Sequence, residues 1–160
     1  MIALDLAATS ERWAALGDVE ALARRAVEAA LAVAKNPPRQ ADVELSLLLA
    51  DDEAVRALNR AWRGKDKATN VLSFPANPPP GTPGRQPLGD VALAFGTVAR
   101  EAESESKTLA DHATHLIVHG VLHLLGYDHE TEAEAEIMEA LEVEALARLG
   151  IADPYREMAA

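Results

Sequence analysis

The sequence predicts an α/β (α+β) fold in a single domain, residues 1–160, with a small mixed sheet of about four strands packed with about five helices. Three observations predict it. Short apolar runs alternate with longer segments of helical period. At 160 residues and 49% hydrophobic, the chain is long enough to bury one core. No internal repeat divides it, and one proline-rich stretch is the one segment that reads as loop throughout.

Residues 2–7 (IALDLA) alternate as a strand. Asp18 is an N-cap for a helix from Val19 to Lys35, with Leu22, Ala26, Ala30 and Val33 on one stripe. Asn36-Pro37-Pro38 stops it. Residues 43–50 (VELSLLLA) are short and apolar, as a buried strand is. Asp51 caps a second helix over roughly 52–61, and residues 69–74 (TNVLSF) form a strand ended by Pro75. Residues 75–87 hold six of the nine prolines, a density that excludes both helix and ladder, so 76–87 is expected to be a flexible loop. A strand follows over 88–95, then a helix from about Thr97 to Ser106. Thr108 caps a helix over 109–125 that Gly126 ends, and a last helix covers 131–149, ended by Gly150.

Composition excludes several functions. With no cysteine, disulfides and thiolate metal sites are out, so any metal sits on histidine or carboxylate. Aromatics at 4% argue against a stacking platform for single strands. No basic, apolar leader and no membrane-spanning run is visible, so cytoplasm is the expected compartment and no membrane partner is expected. The net charge of −11 is local. Residues 1–100 carry 12 basic and 12 acidic side chains, whereas 101–160 carry 3 and 14. Coating nucleic acid by charge alone is excluded, but a basic site within the first hundred residues is not. The acidic last helix, from Glu130 through Glu144, reads as a solvated face, with a docking surface for a basic ribosomal protein as the alternative.

All five histidines fall between residues 112 and 129. On a helix, His112, His115, His119 and His123 occupy one face, and His119 and His123 are neighbours one turn apart. Gly126 lets the chain turn back, and Tyr127-Asp128-His129 brings a third imidazole. Three nitrogen donors with no fourth ligand in sequence reach describe an open metal site, of the kind that catalysis uses. The spacing also matches that of the metzincin proteases, glycine included, but Gly120 stands where those enzymes carry their catalytic glutamate. Asp128 is the nearest other carboxylate, and turn-capping is its simplest role.

Arg56, Arg60, Arg63, Lys65 and Lys67 concentrate positive charge around a helix-to-strand junction. Arg63 is suited to bidentate phosphate contact.

The run His119-Gly120-Val121-Leu122-His123-Leu124-Leu125-Gly126-Tyr127-Asp128-His129 resembles the signature of the YbeY endoribonucleases. Residues 58–67 (LNRAWRGKDK) with 69–75 (TNVLSFP), then 88–91 (LGDV) and Asp153-Pro154-Tyr155, are similar to further motifs of that family. Ala68, where members commonly have proline, and the loop 76–87 depart from it.

The resemblance implies a zinc-dependent endoribonuclease specific for single-stranded RNA. It further implies action in maturation of the small-subunit ribosomal RNA 3′ end and in ribosome quality control. Zinc, one ion per chain, would sit on His119, His123 and His129, and Arg63 matches the functionally important arginine. Arg60, Lys65, Lys67 and His115 are further candidates for substrate binding. The implied partners are single-stranded RNA and the ribosomal small subunit. Two other readings stay open: a metalloprotease-like metallohydrolase, and a non-enzymatic ribosome-assembly factor whose metal pins a helix to a turn.

Overall fold

Val43–Ala50 (here β2) is the strand around which the rest is arranged, because both of its edges are paired and one of its faces is wholly buried. The computed structural model of the chain describes residues 2–35, 37–38, 43–76, 84 and 86–155. Strand β1 (Ala3–Ala8) runs parallel to one edge of β2 and β4 (Gln86–Ala94) runs parallel to the other. Strand β3 (Val71–Pro75) closes the far side antiparallel to β4, so the order is β1-β2-β4-β3. The expected small mixed sheet of four strands is what forms.

The two faces of β2 follow from its pleat. Val43, Leu45, Leu47 and Leu49 face the main core, which α1 (Val19–Val33), α4 (Leu109–Leu124) and α5 (Glu132–Arg148) complete. Leu48 and Ala50 face a smaller cluster under α2 (Asp52–Arg63), with Val55, Leu72 and Ala94. Asp18, Asp51, Thr108 and Thr131 accept backbone N–H groups at the starts of α1, α2, α4 and α5.

Several boundaries differ from expectation, each for a physical reason. α3 (Phe95–Ser104) begins directly off β4 rather than at Thr97, and Ala94 offers it no side-chain cap. The cap comes from elsewhere: Asp52 Oδ1 accepts the Thr97 N–H at 2.9 Å, and Oδ2 pairs with Arg100. A 3-10 turn over Glu11–Leu16, absent from the sequence reading, carries one anchor. Trp13 is fully buried, donates its indole N–H to the Ala50 carbonyl at 2.9 Å and meets Phe95 edge-on. The loop expected over 76–87 lies mostly outside the described residues, and its last two residues belong to β4 instead. Pro87 is tolerated there because it sits at the strand start beside a register shift near Glu44 and Leu45.

Candidate metal centre

Helix α4 carries four of the five histidines and runs through the middle of the main core. It ends where expected. Gly126 takes φ +103°, and the Tyr127 N–H returns to the Leu122 carbonyl at 3.1 Å. That reversal brings His129 back beside the helix. The His119 and His129 rings have centroids 5.6 Å apart and line one cavity with Met138, Glu139, Glu142 and Tyr155. His123 stands one turn further along α4, half-buried. Two imidazoles sharing a tetrahedral ion have centroids about 5 Å apart, given metal–nitrogen bonds of about 2.0–2.1 Å. The His119–His129 spacing is close to that, and His129 is exposed on its loop with room to adjust.

Among the described residues, the trio of histidine and carboxylate donors lying within 4.8 Å of one another is a different one: Glu101, Glu105 and His112. Its donors are already engaged. Glu101 accepts from Asn70 Nδ2 at 3.0 Å and pairs with His112 Nε2 at 2.9 Å, while Glu105 holds Lys107. This group ties the start of β3 to α3 and α4.

Glu142 is the residue that sequence reasoning missed. It belongs to the acidic helix read as a solvated face, yet it is 1% exposed. Oε2 accepts from His119 Nδ1 at 3.1 Å, and Oε1 accepts from His115 Nε2 at 2.5 Å and the Tyr155 hydroxyl at 2.6 Å. Burial by itself would raise its pKa. The hydrogen bonds from His115, His119 and Tyr155 outweigh that and hold it at about 2. Burial and the hydrogen bond to Glu142 in turn push the Tyr155 hydroxyl well above its usual range. The sequence did hold a signal. Met138, Glu142, Ala145 and Leu146 share the buried stripe of α5, and a lone carboxylate there requires partners.

Gly120 explains the missing glutamate. The helix lies so close to the sheet that a Cβ at this position would stand 2.8 Å from Val91 Cγ1 and 3.2 Å from Ser73 Oγ. A side chain there has to push Val91 aside, so the longer side chain of a protease-type base is disfavoured. Overpacking costs about 1–3 kcal/mol, against a helix-propensity gain of about 1 kcal/mol. Gly120→Ala is therefore expected to lower stability in urea unfolding by up to about 2 kcal/mol. A variant as stable as the parent would mean that the helix lifts off the sheet without cost.

The basic segment divides. Arg56 is held by Asp66 through two hydrogen bonds, at 2.8 and 3.2 Å. Arg60, Lys65 and Lys67 are exposed. Arg63 is the last residue of α2, before Gly64 in the left-handed region. Its Nη2 donates to the Ser73 carbonyl at 2.5 Å, and its guanidinium lies 5.4 Å from the Phe74 ring centroid. The Ser73 hydroxyl donates to the Gly120 carbonyl at 3.3 Å, so one residue of β3 separates Arg63 from the histidine helix.

Comparison with known proteins places the chain as a whole. A family model described as "Endoribonuclease YbeY" matches residues 8–150. Endoribonuclease YbeY of Rhodopseudomonas palustris (strain BisA53) is 51% identical over 158 residues, covering 97% of this chain and 91% of the relative. The protein of the same name from Rhizobium meliloti (strain 1021) is 50% identical, covering 97% and 96%. The solution structure of TM1509 from Thermotoga maritima superposes with a TM-score of 0.57 over 96% of this chain and 99% of that one. At 21% identity, that likeness concerns the fold alone. Half of all residues are shared with the Rhodopseudomonas and Rhizobium proteins across almost the whole length, so the chain belongs to the YbeY endoribonuclease family.

Proposed function

We propose that the chain is a zinc-dependent endoribonuclease that cuts single-stranded RNA, acting in the cytoplasm on the 3′ end of small-subunit ribosomal RNA and in ribosome quality control. The observation that carries this reading is the cavity where His119 and His129 face each other beside a buried carboxylate, in a chain half-identical to proteins named endoribonucleases. His119, His123 and His129 are the donors that would hold the ion, which supplies Lewis acidity toward a phosphodiester. The donor set suits zinc, being all imidazole.

Arg63 supplies the fixed positive charge. Its place at the end of α2, tied to β3, lets the guanidinium meet phosphate oxygens whose charge grows as the bond breaks. Arg60, Lys65 and Lys67 would follow the RNA backbone away from the site; His115, the other candidate contact, is buried with its Nε2 on Glu142 and would support the centre rather than meet RNA. The exposed glutamates of α5 offer a surface for a basic ribosomal protein of the small subunit.

A metallohydrolase of the protease kind is disfavoured by Gly120, where its base would have to push Val91 aside. The test uses the purified chain, stripped by a chelator and then restored with zinc. Its substrates are a single-stranded RNA, the same RNA as a duplex, and an unfolded protein. Cleavage of the single strand alone, lost on stripping and recovered with zinc, is expected. Protein cleavage would favour the metallohydrolase, and no cleavage of anything would favour a non-enzymatic assembly factor.

A further inference from the structure

We propose that Glu142 is the positioning residue of the metal centre, holding His119 in the tautomer whose Nε2 is free to bind an ion, while His115 and Tyr155 hold Glu142 in place. This rests on the reading of His119 as a ligand.

The argument is one of proton placement. An ionised carboxylate only accepts hydrogen bonds. The His119 nitrogen facing Glu142 Oε2, Nδ1, therefore carries the hydrogen. A neutral imidazole has one N–H, so Nε2 keeps its lone pair, which is what a metal requires. Oε1 is occupied by His115 Nε2 and the Tyr155 hydroxyl, which blocks rotation of the carboxylate and commits Oε2 to His119. His115 spends its Nε2–H in this way, and its Nδ1 is buried without a partner among the described residues. His115 thus acts through Glu142. Tyr155 arrives from the segment after α5, which Lys107 anchors by donating to the Pro154 carbonyl at 3.3 Å.

Packing alone does not account for a carboxylate here. Met138, Ala145 and Leu146 on the same stripe are apolar. A buried charge costs several kcal/mol to desolvate, and well-packed apolar residues often replace such groups without loss of stability.

The test measures zinc binding by the metal-free chain through competition with a chelator, and reads imidazole ¹⁵N shifts of that metal-free chain. Glu142→Gln keeps the volume and removes the charge. It is expected to bind zinc about 10–100-fold more weakly than the parent, with Tyr155→Phe falling between the two. The parent's His119 is expected to carry its proton on Nδ1. Equal zinc affinity in Glu142→Gln and the parent would overturn the proposal. So would a parent His119 protonated on Nε2, and that measurement stands even if Glu142→Gln does not fold. His119→Ala separates the two levels of failure. If it binds zinc as the parent does, the ligand assignment itself is wrong and the proposal falls with it. If it loses zinc while Glu142→Gln does not, only the positioning role is lost.

Discussion

Replacing His119 with alanine is expected to lower cleavage of single-stranded RNA by at least about 10³-fold. The size follows from what a metal contributes, several kcal/mol of charge stabilisation, at about 1.36 kcal/mol per tenfold in rate. The loss should be chemical rather than structural. The His119 side chain is 24% exposed, so its removal leaves no large cavity. Glu142 keeps two of its three partners, His115 and Tyr155. Stability should therefore fall by about 1–3 kcal/mol, the cost of one lost partner to a buried acceptor. Single-turnover cleavage, zinc content and thermal unfolding, measured on the same preparation, check all three statements. Cleavage within tenfold of the parent would remove His119 from the chemistry.

Arg63 carries the second large effect. Arg63→Ala is expected to cost about 10²–10³ in cleavage rate, by analogy with removal of one preorganised donor to a developing oxyanion. The informative variant is Arg63→Lys, which preserves charge. A guanidinium offers five N–H groups in a plane. Ser73 takes one, and the face of Phe74 supports the plane. An ammonium can neither stack in that way nor grip two phosphate oxygens while holding Ser73. Arg63→Lys should thus lose more than tenfold, with folding preserved because the side chain is exposed. Parental rates in both variants, at matched zinc content, would move the role to Lys65 or Lys67.

The histidine spacing is a local pattern, since an i, i+4 pair and a glycine turn need no distant residue to define them. The structure places His119 and His129 in one cavity, and His123 is not among the residues that line it. The fold class was legible for a similar reason, since each strand and helix announces itself by its own period. What escaped the sequence depends on partners far along the chain. Asp52 caps α3 across 45 residues, so the start of that helix could not be placed from its own sequence. Trp13 is anchored by a carbonyl 37 residues away. Glu142 was hidden by its company: seven glutamates in a row of turns look like one solvated face, and only the buried stripe of α5 distinguishes the one that faces inward. The basic segment shows the opposite error. Arg56 looked like part of one positive face, but Asp66 neutralises it.

The central position of β2 also governs how the chain gets to this state. Ala3 pairs with Glu44 and Val43 with Gln86, so both parallel ladders join residues about forty apart in sequence, and neither can start as a hairpin. Such non-local pairing puts folding toward the slow end, in the range of milliseconds to seconds. During that interval β2 is an apolar eight-residue strand with open edges, and an open edge pairs with any strand it meets. The window closes when β4 docks, which requires the chain through Ala94 to be in place. Newly made chains are thus most prone to associate with one another early, before β4 covers that edge, and making fewer chains at once should raise the soluble yield.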